Sequence, residues 1–215
     1  MKNILIIGLG RFGKHLATKF TELGDEVMVV DRDEESVQSM MNVVTYAQIG
    51  DCTKEEVLRS LGVENFDVCF VCMGEDFQSS LETTDLLRSL GAKYIVSKAG
   101  RDIHAKFLLK NGADEIIYPE KDMAAKVAVK FSSNHLVDYF EISDDVAIYE
   151  IFVPSDWCGK TIAGLNVRAK YGINILAVRK SAGDLNSNPG PDYVFGRDER
   201  IIVLGTQANI KRFIK

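Results

Sequence analysis

No apolar run in this chain approaches the roughly 18–20 residues that cross a bilayer; the stretches present, residues 4–7 and 201–204 among them, are strand-length. A secretory leader is missing as well, since Met1-Lys2-Asn3 leads into four apolar residues and then the turn residue Gly8. Basic excess is missing too: 26 Lys and Arg stand against 31 Asp and Glu, a net charge of −5, with no basic patch, which argues against nucleic acid as a partner. Histidine is scarce. His15, His104 and His135 fall on three separate predicted helices, none beside a serine or cysteine nucleophile motif, and HExxH, GxSxG and the P-loop are absent. These absences point to a soluble, cytosolic protein that is not an enzyme. What is present is ordinary globular composition, 46% hydrophobic and 27% charged over 215 residues, enough for one large domain or two modest ones.

The four cysteines, Cys52, Cys69, Cys72 and Cys158, come with no sign of export and are expected to stay reduced. Cys69 and Cys72 form a CxxC, but they lie in residues 66–72, which read as a buried strand. Side chains three apart on a strand point to opposite faces, so these thiols cannot share a metal and belong in the core.

Up to about residue 120, apolar runs at 4–7, 27–30, 43–49, 68–72, 94–97 and 115–118 alternate with amphipathic segments at 12–23, 34–41, 54–61, 78–90 and 103–109. Several of these segments end at a glycine: Gly24, Gly62, Gly91 and Gly112. Strands apolar on both faces and separated by helices predict a Rossmann-like, doubly wound parallel sheet. Residues 122–135 then read as a further helix, with His135 packed in it. Strands follow at 139–142, 147–153, 173–178 and 201–204, then a closing helix at 206–213, with a turn-forming run from Gly183 to Pro191. That pattern predicts a small, mostly antiparallel α+β module. The expected domains are 1–135, including the linking helix, and 136–215. The glycine-rich fingerprint occurs once, so no internal repeat is present.

Gly8-Leu9-Gly10-Arg11-Phe12-Gly13 fits GxGxxG, follows the first strand, opens the first helix, and is followed by Asp31 at the end of the second strand. Gly8 permits the tight turn, Gly10 lets backbone approach a phosphate, and Gly13 allows the helix to pack on the strand. Free N–H groups at the helix start suit phosphates, while Asp31 suits ribose hydroxyls and repels a 2′-phosphate. Arg11 either reaches toward a phosphate tail or is solvated in the first turn. Asp51, in the loop Gly50-Asp51-Cys52, either holds an adenine amino group or caps the next helix. The closing module, without catalytic groups, makes a poor substrate domain, so binding itself is the expected output.

Residues 4–13 with Asp31, then Gly50-Asp51, residues 71–74 and Tyr118-Pro119-Glu120-Lys121-Asp122-Met123-Ala124, resemble the RCK (KTN) family of cytosolic regulators of potassium channels and transporters. Gly159-Lys160-Thr161-Ile162, Leu165-Asn166-Val167-Arg168, Gly172-Ile173-Asn174-Ile175 and the stretch from Pro191 to Gly205 resemble its C-terminal (TrkA-C) domain. The resemblance implies a nucleotide pocket of Arg11, Asp31, Arg32, Asp33, Asp51, Cys52, Met73, Gly74, Glu75, Lys98, Ala99, Gly100 and His104 around the fingerprint. It implies that Glu120 approaches a γ-phosphate and a divalent or monovalent cation at a subunit interface. It further implies dimers joined through the linking helix, and an octameric ring beneath a membrane-embedded potassium channel or transporter. ATP and ADP are the expected nucleotides, with NAD or NADH as the rival; an NAD-dependent oxidoreductase is the more remote alternative. In Ktr members of the family the C-terminal module binds cyclic di-AMP. Here Arg168 would pair with a phosphate, Asn174 would read adenine, and Ile162, Ile173, Ile175 and Pro191 would wall the base, unless the three isoleucines are core.

Overall fold

The computed structural model describes residues 1–74, 76–132, 135–143 and 145–213, and the chain divides into two compact units, Met1–Asp122 and Met123–Lys215.

The first unit runs β1 (Asn3–Ile7), α1 (Arg11–Glu22), β2 (Glu26–Asp31), α2 (Glu34–Gln38), β3 (Tyr46–Ile49), α3 (Glu55–Leu61), β4 (Val68–Val71), α4 (Phe77–Ser89), β5 (Ile95–Lys98), α5 (Asp102–Lys110) and β6 (Glu115–Ile117). All strands are parallel, in the order β3-β2-β1-β4-β5-β6. Chain order reverses between β1 and β4, so the loops leaving their carboxyl ends diverge and open a crevice there. Ile4, Ile6, Val27, Val29 and Cys72 face one core, whereas Leu5, Ile7, Val30, Cys69 and Val71 face the other. The two thiols of the CxxC therefore sit in separate cores, as strand alternation requires. The glycines expected to end helices, Gly24, Gly62, Gly91 and Gly112, all take positive φ.

Some boundaries differ from the sequence reading. The chain turns at residues 39–45 before β3, because α2 stops at Gln38 and Val44 N–H returns to the Met40 carbonyl at 3.1 Å. The next helix, α6 (Pro119–Phe131), begins earlier than expected. Proline lacks the N–H that a first helical position leaves unused, and Glu120 and Asp122 favour the positive end of the helix dipole. His135 lies beyond this helix rather than in it, and its carbonyl accepts from Phe152 N–H at 3.1 Å.

The second unit contains β7 (Leu136–Glu141), β8 (Val146–Phe152), α7 (Ile162–Leu165), α8 (Val167–Tyr171), β9 (Asn174–Arg179), β10 (Leu185–Asn186), β11 (Arg200–Thr206) and α9 (Gln207–Phe213). Its antiparallel sheet has the order β10-β9-β11-β8-β7. One face buries Tyr149, Ile151, Trp157, Ile173, Phe195 and Ile201. Two features went unread in the sequence: β10 within the turn-forming run, and the short α7 and α8, which are divided by Asn166 in the left-handed region (φ 46°).

Candidate functional site

A cavity of about 580 Å³ occupies the crevice of the first unit, within the range of small-molecule sites. The three glycines of the fingerprint do different work around it. A Cβ at Gly13 would lie 2.0 Å from the Gly8 carbonyl oxygen, so α1 can pack on the turn only without a side chain there. Gly8 (φ +96°) is pressed against Met73, and its N–H bonds the Val30 carbonyl at 2.9 Å. Gly10 has nothing within 4 Å of where its Cβ would stand, and it opens α1 with no side-chain cap. The first N–H groups of a twelve-residue helix thus meet the cavity without a protein partner at the cap.

Acidic residues at the strand ends are fixed by local hydrogen bonds. Asp31 accepts from Leu9 N–H at 2.5 Å through Oδ2 and from Asp33 N–H at 2.9 Å through Oδ1, so its carboxylate is held in one orientation. Asp51 accepts from the Thr53 hydroxyl at 2.7 Å and the Thr53 N–H at 3.1 Å, and these bonds lower its pKa. It caps its own turn, since α3 begins after Lys54 without a side-chain cap. Asp76 caps α4 through Ser79 N–H (3.0 Å) and the Ser79 hydroxyl (2.7 Å), which lower its pKa in the same way.

Lys98, at the end of β5, has only 14% of its side chain exposed. Its Nζ meets Glu120 Oε1 at 2.8 Å, and Glu120 is 71% exposed. The lysine stem lies against Gly74, and its ammonium stands 5.9 Å from the Phe12 ring. The hydrogen bond from Lys98 is the main cause that lowers the Glu120 pKa, with a further contribution from the Arg11 charge. Cys52 and Cys72 line the cavity as thiols, both pushed up to about 12 by burial, and for Cys52 also by the charges of Asp51 and Asp31. They remain protonated near neutral pH and are poor nucleophiles.

Of the residues expected at the nucleotide pocket, the cavity brings together Gly8, Gly10, Arg11, Phe12, Asp31, Arg32, Asp51, Cys52, Met73, Gly74, Lys98 and Glu120. Gly13, Asp33, Ala99, Gly100 and His104 stand outside its lining, and Glu75 lies outside the described residues. His104 is buried beneath, 2.7 Å from Ser80 Oγ, with Gly100 N–H 3.4 Å from Nδ1 and the Phe77 ring at 4.8 Å. Burial, and then the Arg101 charge, hold its pKa below the usual imidazole value. Ile7, Val30, Thr53, Asp76 and Ser79 also line the cavity and were not singled out. For Asp76 and Ser79 the spacing of a helix cap was available as a signal.

In the second unit, Arg168 Nε donates to Asn174 Oδ1 at 2.5 Å. Ile162 and Ile175 are half-buried against the core, Pro191 is exposed, and Ile173 is wholly buried. Among the described residues no group of three or more His, Cys, Asp or Glu is placed to hold a metal ion, and no helix is long and apolar enough to cross a membrane.

Residues 4–119 match the TrkA-N domain and residues 146–215 the TrkA-C domain. Ktr system potassium uptake protein C of Bacillus subtilis (strain 168) is 41% identical over 214 residues, covering 100% of this chain and 96% of that protein. Ktr system potassium uptake protein A of the same organism is 40% identical over 212 residues, covering 99% and 95%. Among solved structures, the GsuK channel bound to NAD matches 97% of this chain with a TM-score of 0.67 at 19% identity. GsuK bound to ADP matches 61% with a TM-score of 0.55 at 17% identity. This chain spans 38% and 35% of those chains, and the likeness to them is one of fold.

Proposed function

This chain belongs to the TrkA-N and TrkA-C (RCK) family, and from that premise we propose that it is a cytosolic regulatory subunit of a potassium uptake system, switched by an adenine nucleotide in the cavity of the first unit. The observation that carries the reading is the pairing of open space above Gly10 and the uncapped start of α1 with the immobilised carboxylate of Asp31. The helix start and Arg11 suit phosphate oxygens; Asp31, each oxygen holding one lone pair in reserve, suits the two ribose hydroxyls. Further support is the binding of NAD and of ADP by fold neighbours, two ligands that share an adenosine diphosphate moiety.

A ligand shifts an equilibrium only by its unequal affinity for two states, and a γ-phosphate is the group by which ATP differs from ADP. Arg11 and Lys98 are the cations of this chain placed to sense it. Glu120, a carboxylate beside the phosphate end, would contribute one ligand to a cation there, with the nucleotide supplying others. In the family's assembly this control acts through dimers and an octameric ring on a membrane-embedded partner. The helix α6 suits dimer formation, since Met123, Val127 and Phe131 form an exposed apolar stripe at i, i+4 and i+8. For cyclic di-AMP, Arg168 and Asn174 would offer a phosphate and an adenine contact and Ile162, Ile175 and Pro191 would wall the base, while Ile173, wholly buried in the core, would not.

The NADH-responsive reading draws on the same Asp31 and on a cavity wide enough for a dinucleotide. Titration calorimetry with ATP, ADP and NADH separates the two: the proposal expects ATP and ADP to bind with different effects on transport, and NADH tightest by far would favour the rival. Arg11→Ala is expected to keep nucleotide binding measurable while erasing the ATP–ADP distinction in potassium flux; an unchanged distinction would remove Arg11 from the switch.

A further inference from the structure

His104 lies buried behind the cavity wall rather than in it, and both of its ring nitrogens have a defined task. The Ser80 hydroxyl donates to the Phe77 carbonyl at 2.9 Å, so it has no proton for the ring and accepts from Nε2–H at 2.7 Å. Nδ1 is therefore bare, and it accepts from Gly100 N–H across a long 3.4 Å. Gly100 in turn stands against the Gly74 carbonyl oxygen, 3.2 Å from where its Cβ would be, and Gly74 carries the stem of Lys98. Ring, turn and lysine thus form one stack behind the phosphate end of the cavity. We propose that His104 is a positioning residue for nucleotide binding: its neutral imidazole holds the turn after β5 against Gly74 and so fixes Lys98, and a proton on Nδ1 releases that hold. The inference rests on the nucleotide reading above and deepens it with an input from pH. A protonated ring would set its new N–H against the Gly100 N–H, two donors with no acceptor between them. Its charge would also be buried beneath Phe77, whose ring centroid is 4.8 Å away, with the Arg101 guanidinium 5.5 Å from the same ring. Of the other charged groups on the surrounding elements, Asp76 and Lys98 line the cavity, Asp102 is engaged by Lys121 and Tyr118, and Glu82, Asp85 and Lys106 are exposed. Burial and Arg101 both oppose the proton, so the release falls on the acid side of about pH 6.5.

The test measures ATP and ADP binding by the full chain from about pH 8 to about pH 5.5, in wild type, His104→Gln and His104→Leu. Leucine removes donor and acceptor together, so H104L is expected to bind ATP about fivefold weaker at the alkaline end, the scale of one hydrogen bond. Glutamine restores a donor and an acceptor but gains no proton, so H104Q is expected to recover most of that loss. Acid protonates the nucleotide as well, and H104Q measures that background. Wild type is expected to lose about fivefold more affinity than H104Q on the descent. An H104L that binds as well as wild type, or an H104Q that follows the wild-type pH profile, would overturn the proposal; if H104L does not fold, the second comparison still decides. The hold is also read without nucleotide, as an NMR shift of the Gly100 amide across the same pH range in wild type and not in H104Q. If wild type binds neither ATP nor ADP while that shift is present, the nucleotide reading fails and the hold on Gly100 stands. An unmoved Gly100 amide overturns the hold itself.

Discussion

The two units of this chain solve burial in different ways. The first covers both faces of a parallel sheet and carries polar side chains inside: Ser80, Thr83, Thr84, Ser97 and His104 are buried beside α4 and β5. One of their bonds reaches a cavity loop, and the others tie the elements behind it. Thr83 Oγ1 donates to the Cys52 carbonyl at 3.2 Å, Thr84 and Ser97 hydroxyls meet at 3.0 Å, and Ser80 meets His104 at 2.7 Å. The second unit packs one face of an antiparallel sheet around Trp157 and Phe195, pairs Glu150 with Arg179 and Arg200, and buries one carboxylate, Glu199, which accepts from the Tyr193 hydroxyl and the Gly196 N–H. The difference teaches where a binding site is built into the fold. Diverging loops at parallel strand ends make a cavity that backbone and side chains such as Arg11, Asp31 and Lys98 line together, whereas in the second unit the candidates Arg168 and Pro191 are exposed and Ile173 is buried.

Four substitutions or conditions sharpen that contrast. Gly13→Ala puts a Cβ against the Gly8 carbonyl and is expected to destabilise the first unit by about 3 kcal/mol or more and to abolish nucleotide binding. Trp157, the single tryptophan, sits in the other core and should keep its fluorescence, while hydrogen exchange reports the loss in the first unit. Ile173→Ala does the reverse. It should cost the second unit about 2–5 kcal/mol, seen as an earlier Trp157 transition in urea, and leave the nucleotide Kd unchanged.

Acidification tests the buried histidine. His104 has its folded pKa held below the unfolded value, so the unfolded chain binds the extra proton first. Its contribution is therefore present above about pH 6.5 and is lost as pH falls below that value. Hydrogen-exchange protection factors across α4 and α5, corrected for the intrinsic pH dependence of amide exchange, should fall on this descent in wild type and lose that dependence in His104→Gln. The smallest effect is Arg168→Ala, an exposed side chain whose removal should change stability by no more than about 0.5 kcal/mol and, on the proposed reading, weaken calorimetric binding of cyclic di-AMP; equal binding by wild type and variant would remove Arg168 from that site.

Legibility in the sequence followed the same division. In the first unit the ends of β1, β2 and β3 carry their own chemistry: glycines that cannot tolerate a Cβ, or an acid followed by its hydrogen-bond donor. Local pattern marked the glycine fingerprint, Asp31 and Asp51, and the family resemblance supplied the rest of the twelve expected residues that line the cavity. His104 escaped that logic because helix position alone does not say whether a ring points to a ligand or inward to Ser80. Asp76 and Ser79 were missed because their bonds are those of an ordinary helix cap, and only the fold turns that cap toward the crevice. In the second unit, Ile173, Asn174 and Ile175 are consecutive, yet only the first is wholly buried. A slip in strand register between Ile202 and Val203 alters the alternation there, and no periodicity announces it.

Gly10→Val gives the most direct measurement. Nothing stands near that Cβ position, so the variant should fold, yet its side chain fills the space above the start of α1. Calorimetry with ATP and ADP is expected to show saturable binding to the wild type and none to the variant. Equal binding by both would contradict the account.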